Sequence, residues 1–191
     1  MKNFGVKPWL FPMPTYMIGT YNEDNSVDLM MMAWGGICAE NMVALNLEED
    51  HKTVANLKQR GAFTLAIPGR DTLVQSDYCG LVSGNDAPDK FARTGLHAGK
   101  SSLVDAPVVA EYPVTLECKV VEMQEQPYGL RVLGEIVNVM ADEKVLDELG
   151  RIARRYGVTA EYLKAINPTI YNINDITAGY YIYVPAAVDQ G

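Results

Sequence analysis

A chain of 191 residues can hold one substantial core, or one core with a small appendage, and 48% hydrophobic against 21% charged residues excludes disorder over most of it. Sixteen Lys and Arg are scattered among 24 Asp and Glu, a net charge of -8, so no basic footprint for a nucleic-acid backbone is present. No apolar run reaches the length of a membrane span and residues 1–8 lack the apolar segment of a secretory signal, so the expected location is the cytoplasm.

Composition also narrows the chemistry. Cys38, Cys79 and Cys118 are odd in number and widely spaced, without a C-x-x-C pair, which suggests neither a disulfide framework nor a zinc knuckle. With His51 and His97 the only histidines, no metal site is expected.

In chain order, residues 2–14 carry Pro8, Pro12 and Pro14 among Trp9 and Phe11. Proline lacks the N–H of a helix or central strand, so this piece is expected to be an extended arm on the core or on a neighbouring subunit. Residues 15–21 and 27–33, joined by the polar residues 22–26, read as two strands and a turn. Met32-Ala-Trp-Gly-Gly-Ile-Cys38 then places two glycines and a tryptophan where the second strand ends. Glycines there let a backbone approach a flat ligand closely, and a β-turn or bulge needs them equally.

Residues 42–47 form an apolar strand pattern, and after it Val54 and Leu57 fall at helical spacing, with Gly61 as the stop. Asp50 is the expected N-cap. A helix start leaves N–H groups unpaired and carries partial positive charge, so it suits a phosphate, and Lys52 and Thr53 add a cation and a hydroxyl. The alternative is a short amphipathic helix whose first turn faces only water.

An apolar strand follows at 62–67 and a helix-like piece at about 72–78, then Asp77-Tyr-Cys-Gly-Leu-Val-Ser-Gly84. Residues 86–95, with Pro88 near the start and Gly95 at the stop, read as a short helix. From Leu103 onward the period becomes two, and 114–123 and 130–140, joined around 127–129, are the longest strand patterns. Six or seven strands with irregularly placed short helices predict a mainly β fold, an antiparallel barrel with helical insertions rather than a doubly wound sheet.

Taken together, residues 32–38, the strand into His51-Lys-Thr53 and its helix ending Gly61-Ala-Phe63, the 77–84 segment, Asp89-Lys-Phe91 and Leu133-Gly-Glu-Ile-Val137 are in the order and spacing of one family. Over roughly residues 8–148 the chain resembles the flavin reductase-like, FMN-binding split-barrel family, particularly its flavoredoxin branch. The resemblance implies a six-stranded antiparallel split β-barrel over residues 1–145, assembled as a homodimer with FMN held non-covalently near the subunit interface. It implies an oxidoreductase passing electrons from NADH or NADPH through FMN to a small-molecule or protein acceptor. By position, Met31, Met32, Ala33, Trp34 and Gly35 lie along the isoalloxazine through their backbone. His51, Lys52 and Thr53 hold the phosphate, Asp77, Tyr78 and Cys79 close over the ring or ribityl chain, and Lys90 reaches the flavin from the later helix. Asn46, at the end of the preceding strand, counts with the cofactor-binding residues.

The residues themselves agree with that assignment at the phosphate end. Cys79 reads equally as a buried small hydrophobe or a redox thiol, and Trp34 as a stacking or a packing residue. Flavin chemistry leaves the protein to position and tune, so no general acid or base is named. No Gly-x-Gly-x-x-Gly turn follows a strand, so a nicotinamide dinucleotide is expected only as a transient reductant. The alternative function is a non-catalytic FMN electron carrier.

Residues 146–191 depart from that pattern. Ile152-Ala-Arg-Arg-Tyr-Gly-Val-Thr159, a helix to Asn167-Pro168, and Gly179-Tyr-Tyr-Ile-Tyr-Val-Pro185 are similar to a LysM module, which implies a β-α-α-β fold binding N-acetylglucosamine polymers. The usual first strand ending in Gly-Asp is absent. The other reading is a small α/β extension, with helices at 148–156 and 160–166 and a strand at 180–184, packed as a lid or dimer contact.

Overall fold

The computed structural model describes residues 1–142, 148–168 and 183–184, with residues 148–151 described by backbone alone. Two compact units divide the chain, Met1–Met140 and Ala141–Gly191.

The first unit is built on a seven-stranded antiparallel sheet. A hairpin opens it: β1 (Tyr16–Tyr21) pairs with β2 (Val27–Met32) in the register Tyr16↔Met32 to Tyr21↔Val27. The polar turn closes through Asn22 N–H donating to the Ser26 carbonyl at 2.8 Å, with Asn25 at φ 66, a left-handed value that Asn tolerates. After β3 (Gly35–Ala39), β4 (Met42–Leu47) and β5 (Ala62–Ile67), two long strands, β8 (Val114–Gln126) and β9 (Gly129–Ala141), complete the order β2-β1-β5-β8-β9-β4-β3. Two short strands, β6 (Ala98–Lys100) and β7 (Pro107–Val109), pair separately.

The sheet curls around one apolar core and carries a second cluster on its other face. Ile18, Val43, Leu45, Phe63, Leu65 and Val132 are essentially without solvent contact in the first. Met17, one residue from Ile18, turns to the opposite face with Leu29, Ala66 and Cys79. Period-two alternation therefore buries both faces of β1, which is why its sequence reads as a near-continuous apolar run. Gly134 in β9 is required by packing, since a Cβ there would lie 2.5 Å from Cζ of Phe63.

Helix α1 (Lys52–Arg60) lays Val54 and Leu57 into the first core and ends at Gly61, φ 63. Its N-cap is His51, not Asp50, and no side chain caps it. Asp50 instead offers its carbonyl to Asn85 Nδ2 at 2.8 Å, so the chain turns into helix one residue later than the capping preference of Asp suggests. Helix α2 (Leu73–Leu81) follows a 3₁₀ turn at Arg70–Thr72 and extends three residues beyond the expected 78. Helix α3 (Lys90–Thr94) is stopped by Gly95, φ 72.

The sheet thus has the mainly β, curled antiparallel split-barrel form expected from the sequence, with one strand more than the six the resemblance implies. The addition is β3: the glycine-rich 35–38 piece, read as a strand end, pairs with β4 from Gly35↔Leu45 and breaks register between Ile37 and Ala39. A Cβ on Gly35 would strike the Ala44 carbonyl oxygen, so this glycine serves close strand pairing.

In the second unit, α4 (Glu148–Arg155) and α5 (Ala160–Ile166) coincide closely with the expected helices. Thr159 caps α5 by accepting from Tyr162 N–H at 3.1 Å. Ala153 and Leu163 are buried against Ile152, Val158, Ile166 and Val184. Asn167 binds Tyr183 twice, Nδ2 to carbonyl at 2.8 Å and Oδ1 from N–H at 2.7 Å. The division expected at 145/146 and most of the 180–184 strand lie outside the described residues. No helix among the described residues is long and apolar enough to cross a membrane.

Candidate functional site

Strand β2, the start of α1, the end of α2 and the start of α3 converge on one cavity of about 240 Å³. Its wall gathers Met31, His51, Lys52, Thr53, Cys79 and Lys90, six residues named from the sequence and drawn from four elements. Met30, Gly80 and the 81–84 segment supply the rest of the lining.

Beneath it lies a buried ion pair. Asp28 and Lys90 are each only about 2% exposed, with Nζ to Oδ1 at 3.2 Å. Thr53 Oγ1 donates to the other carboxylate oxygen at 2.8 Å, and Lys90 Nζ also donates to the Val82 carbonyl at 3.2 Å. A carboxylate this buried needs such partners. Thr53 therefore spends its hydroxyl proton and Lys90 its charge on Asp28, so among the residues lining the cavity Lys52 is the cation that this buried pair does not neutralise.

The cavity fits a phosphate on two further counts. His51 Nδ1 is buried without a hydrogen-bond partner, while its Nε2 sits 4.0 Å from Glu48. Gly84 lets the backbone of the 81–84 segment pack against the start of α1, since a Cβ there would lie 2.6 Å from Asp28 Oδ1 and 3.1 Å from the Lys52 Cβ. Partial positive charge at the α1 start, Lys52 and a backbone that comes close without side chains make an anion cradle.

Burial pushes the Cys79 thiol up to about 11, with nearby Lys90 pulling it down and Asp28 raising it further. It is held as a neutral thiol, the state of a packed small residue rather than of a nucleophile.

The remaining predicted residues are distributed by simple geometry. Met31 and Met32 point to opposite faces of β2, so Met31 reaches the cavity and Met32, 3% exposed, fills the core. Asp77 and Cys79 lie about 200° apart around α2, so burying Cys79 turns Asp77 to solvent. Neither Asp77 nor the half-buried Tyr78 lines this cavity or its two neighbours on the barrel wall. Ala33, Trp34, Gly35 and Asn46 border the second cavity, of about 460 Å³, under the arm residues Pro8, Trp9 and Pro12. Trp34 and Asn46 also border the third, of about 650 Å³, which shares His51 with the first.

Asp28 is the residue sequence reading missed. Its signal is an acid in the middle of an otherwise apolar strand, Val27-Asp-Leu-Met. That Lys90, sixty-two positions later, neutralises it is decided by tertiary structure alone.

Comparison with known proteins bears on the same region. The flavin reductase like domain matches residues 9–160. Among solved structures, flavoredoxin of Desulfovibrio vulgaris (Miyazaki F) is 35% identical with a TM-score of 0.72, covering 78% of this chain and 80% of its own. Flavoredoxin from Methanosarcina acetivorans is 25% identical, TM-score 0.66, over 76% and 78% of the two chains. An FMN-binding domain of a flavin reductases-like enzyme from Shewanella baltica OS155, at 23% identity, shares the fold with a TM-score of 0.62 over 71% and 72%. No curated protein matches the sequence.

Proposed function

Because the chain belongs to the flavin reductase like domain family, we propose that it binds FMN and transfers electrons from NADH or NADPH through it to a second acceptor. The observation that carries this reading is the cavity of about 240 Å³ in which the α1 start, Lys52, the Lys90–Asp28 pair and the backbone around Gly84 converge. The Shewanella baltica domain, which shares the fold, is an FMN-binding one, and this supports FMN as the flavin.

When bound, FMN supplies the hydride and single-electron chemistry that the side chains lack. Lys52 and the first turn of α1 would hold the phosphate, and Lys90 is fixed in place by its ion pair with Asp28. His51 stands between this cavity and the third, where Trp34 and Asn46 accommodate the ring. The chain works as a homodimer in the cytoplasm, with the 1–14 arm contributing to the subunit contact. A second reading, an FMN carrier without turnover of its own, is favoured by one observation. The titratable groups deepest in the cavity are locked: Asp28 and Lys90 in an ion pair, Cys79 as a neutral thiol.

Purified protein should be yellow and release FMN on heating, identified by chromatography, and riboflavin should bind at least tenfold more weakly than FMN. Equal binding of the two would detach the phosphate from this helix start. Anaerobic bleaching by NADH or NADPH separates enzyme from carrier: reduction within seconds supports the enzyme, and an oxidised spectrum unchanged over minutes supports the carrier.

A further inference from the structure

At Lys52 and Gly84 the phosphate cavity meets a fourth cavity, of about 440 Å³, which shares both residues with it. The turn between β1 and β2 supplies one wall, through Asn22, Glu23, Asp24 and Ser26, and Asn85 and Pro88 supply another. Apart from Lys52, none of the described residues lining this cavity is cationic, while Glu23 and Asp24 are both acids. The cation available to a phosphate therefore has two carboxylates on its other side.

The backbone of that turn is held in place. Arg60, in the last turn of α1, donates from Nη2 to the carbonyls of Asn22 and Glu23, the second at 3.2 Å, and to Asn25 Oδ1 at 3.0 Å. Asn22 Nδ2 donates to Ser26 Oγ at 2.9 Å, and its Oδ1 accepts from the buried Asn56 at 2.9 Å. Asp24 Oδ1 accepts twice from Ser26, from the hydroxyl at 2.6 Å and the N–H at 2.9 Å. These bonds, the hydroxyl first, hold the Asp24 carboxyl below the usual carboxylate range, and the nearby Lys52 charge pulls the same way. The opposite wall is tied as well, Asn85 donating from Nδ2 to the Asp50 carbonyl at 2.8 Å and from its N–H to Ser83 Oγ at 3.2 Å.

A site selects among ligands by what it repels as well as by what it attracts, and like charges brought together disfavour the ligand that carries them. FMN ends at the phosphate that Lys52 and the α1 start accept. Flavin-adenine dinucleotide, FAD, continues beyond that phosphate with a second one, and the space past Lys52 and Gly84 is the one that Glu23 and Asp24 line. Size does not decide between them, since about 440 Å³ lies within the roughly 300–1,000 Å³ of small-molecule sites. We propose that the β1–β2 turn is the specificity-determining element of the flavin site: Glu23 and Asp24 repel a second phosphate, so that the mononucleotide is chosen over the dinucleotide. This rests on the flavin reading and adds to it the residues that choose the flavin.

The test is calorimetric titration of the full chain, freed of flavin, with FMN, FAD and riboflavin. The native protein should bind FMN at least tenfold more tightly than FAD. Glu23→Gln with Asp24→Asn, which removes both charges and keeps an acceptor for Ser26, should narrow that preference to within about threefold. The narrowing should come from tighter FAD, with FMN affinity unmoved within about twofold. Asp24→Glu, which keeps the charge but not the short side chain of the turn, should retain the preference, and Glu23→Lys should bring FAD level with FMN or above it. Equal binding of FMN and FAD by the native protein, or a preference undiminished in the double variant, overturns the proposal. So does a narrowing produced by weaker FMN, because the acids would then be supporting the turn rather than repelling a phosphate. A protein that binds none of the three flavins defeats the flavin reading and this proposal together, whereas one that binds FMN and FAD alike defeats this proposal alone.

Discussion

Asp28 sits where β2 needs an apolar side chain, and it is tolerated because Lys90 and Thr53 surround it. Removing one partner of a buried pair leaves the other charge uncompensated, which costs about 3–5 kcal/mol. Asp28→Ala should therefore lower unfolding free energy by about that much in urea titration, and Asp28→Leu with Lys90→Met should recover most of it. A loss below about 1 kcal/mol in the single variant would mean the pair is not closed as described. The buried thiols and one phenol make a second prediction. Burial pushes Cys79 up to about 11, and Cys118 and Tyr112 up to about 12, from ordinary values of 9.0 for the thiols and 10.0 for the phenol. Folded values raised above unfolded ones give stability that is complete below about pH 9 and is lost as pH rises through 11–12. Iodoacetamide at about pH 8 should accordingly modify exposed Cys38 and spare Cys79 and Cys118, read by mass spectrometry of the native protein. Alkylation of Cys79 at the rate of Cys38 would contradict its burial.

Among the elements, α1 does two jobs: Val54 and Leu57 anchor it in the core, and its first turn faces the cavity. The 81–84 segment closes on that turn, tied by Asn85 to the Asp50 carbonyl and by Val82 to Lys90. Gly84 is not in the left-handed region, so an alanine there meets only the steric conflict with Asp28 and Lys52. Gly84→Ala should lower FMN affinity at least tenfold in a fluorescence titration while far-UV circular dichroism stays native. Unchanged affinity would show that this segment does not shape the flavin site. The strands of the first unit were legible because alternation and turn residues are local; β1, β2, β4 and β5 fall within a residue of expectation. The pairing of β3 was not, because Gly35-Gly36 carries no alternation and its partner β4 is supplied by the tertiary fold.

For the molecule as a whole, the arm and the adjoining strand leave Phe4, Val6, Leu10, Phe11, Trp34 and Ile37 more than half exposed. Contiguous apolar surface of this kind marks an interaction face, and here the proposed homodimer covers it. Light scattering should give twice the 21.0 kDa chain mass, and removal of residues 1–14 should shift it to the single-chain value. A native protein that runs at the single-chain mass would remove the dimer from the functional reading.

By itself the sequence determined the fold class, most element boundaries, the family, and the six residues that do meet around the first cavity, since these depend on hydrophobic period, glycine stops and motif order. Tertiary structure alone decided what those residues do to each other. It set Asp28 under Lys90 and Thr53, turned Met32 and Asp77 away from the cavity that Met31 and Cys79 reach, and brought Glu23 and Asp24 into one cavity with Lys52. The reason is physical: periodicity is a property of neighbours along the chain, whereas charge neutralisation and cavity walls join residues tens of positions apart.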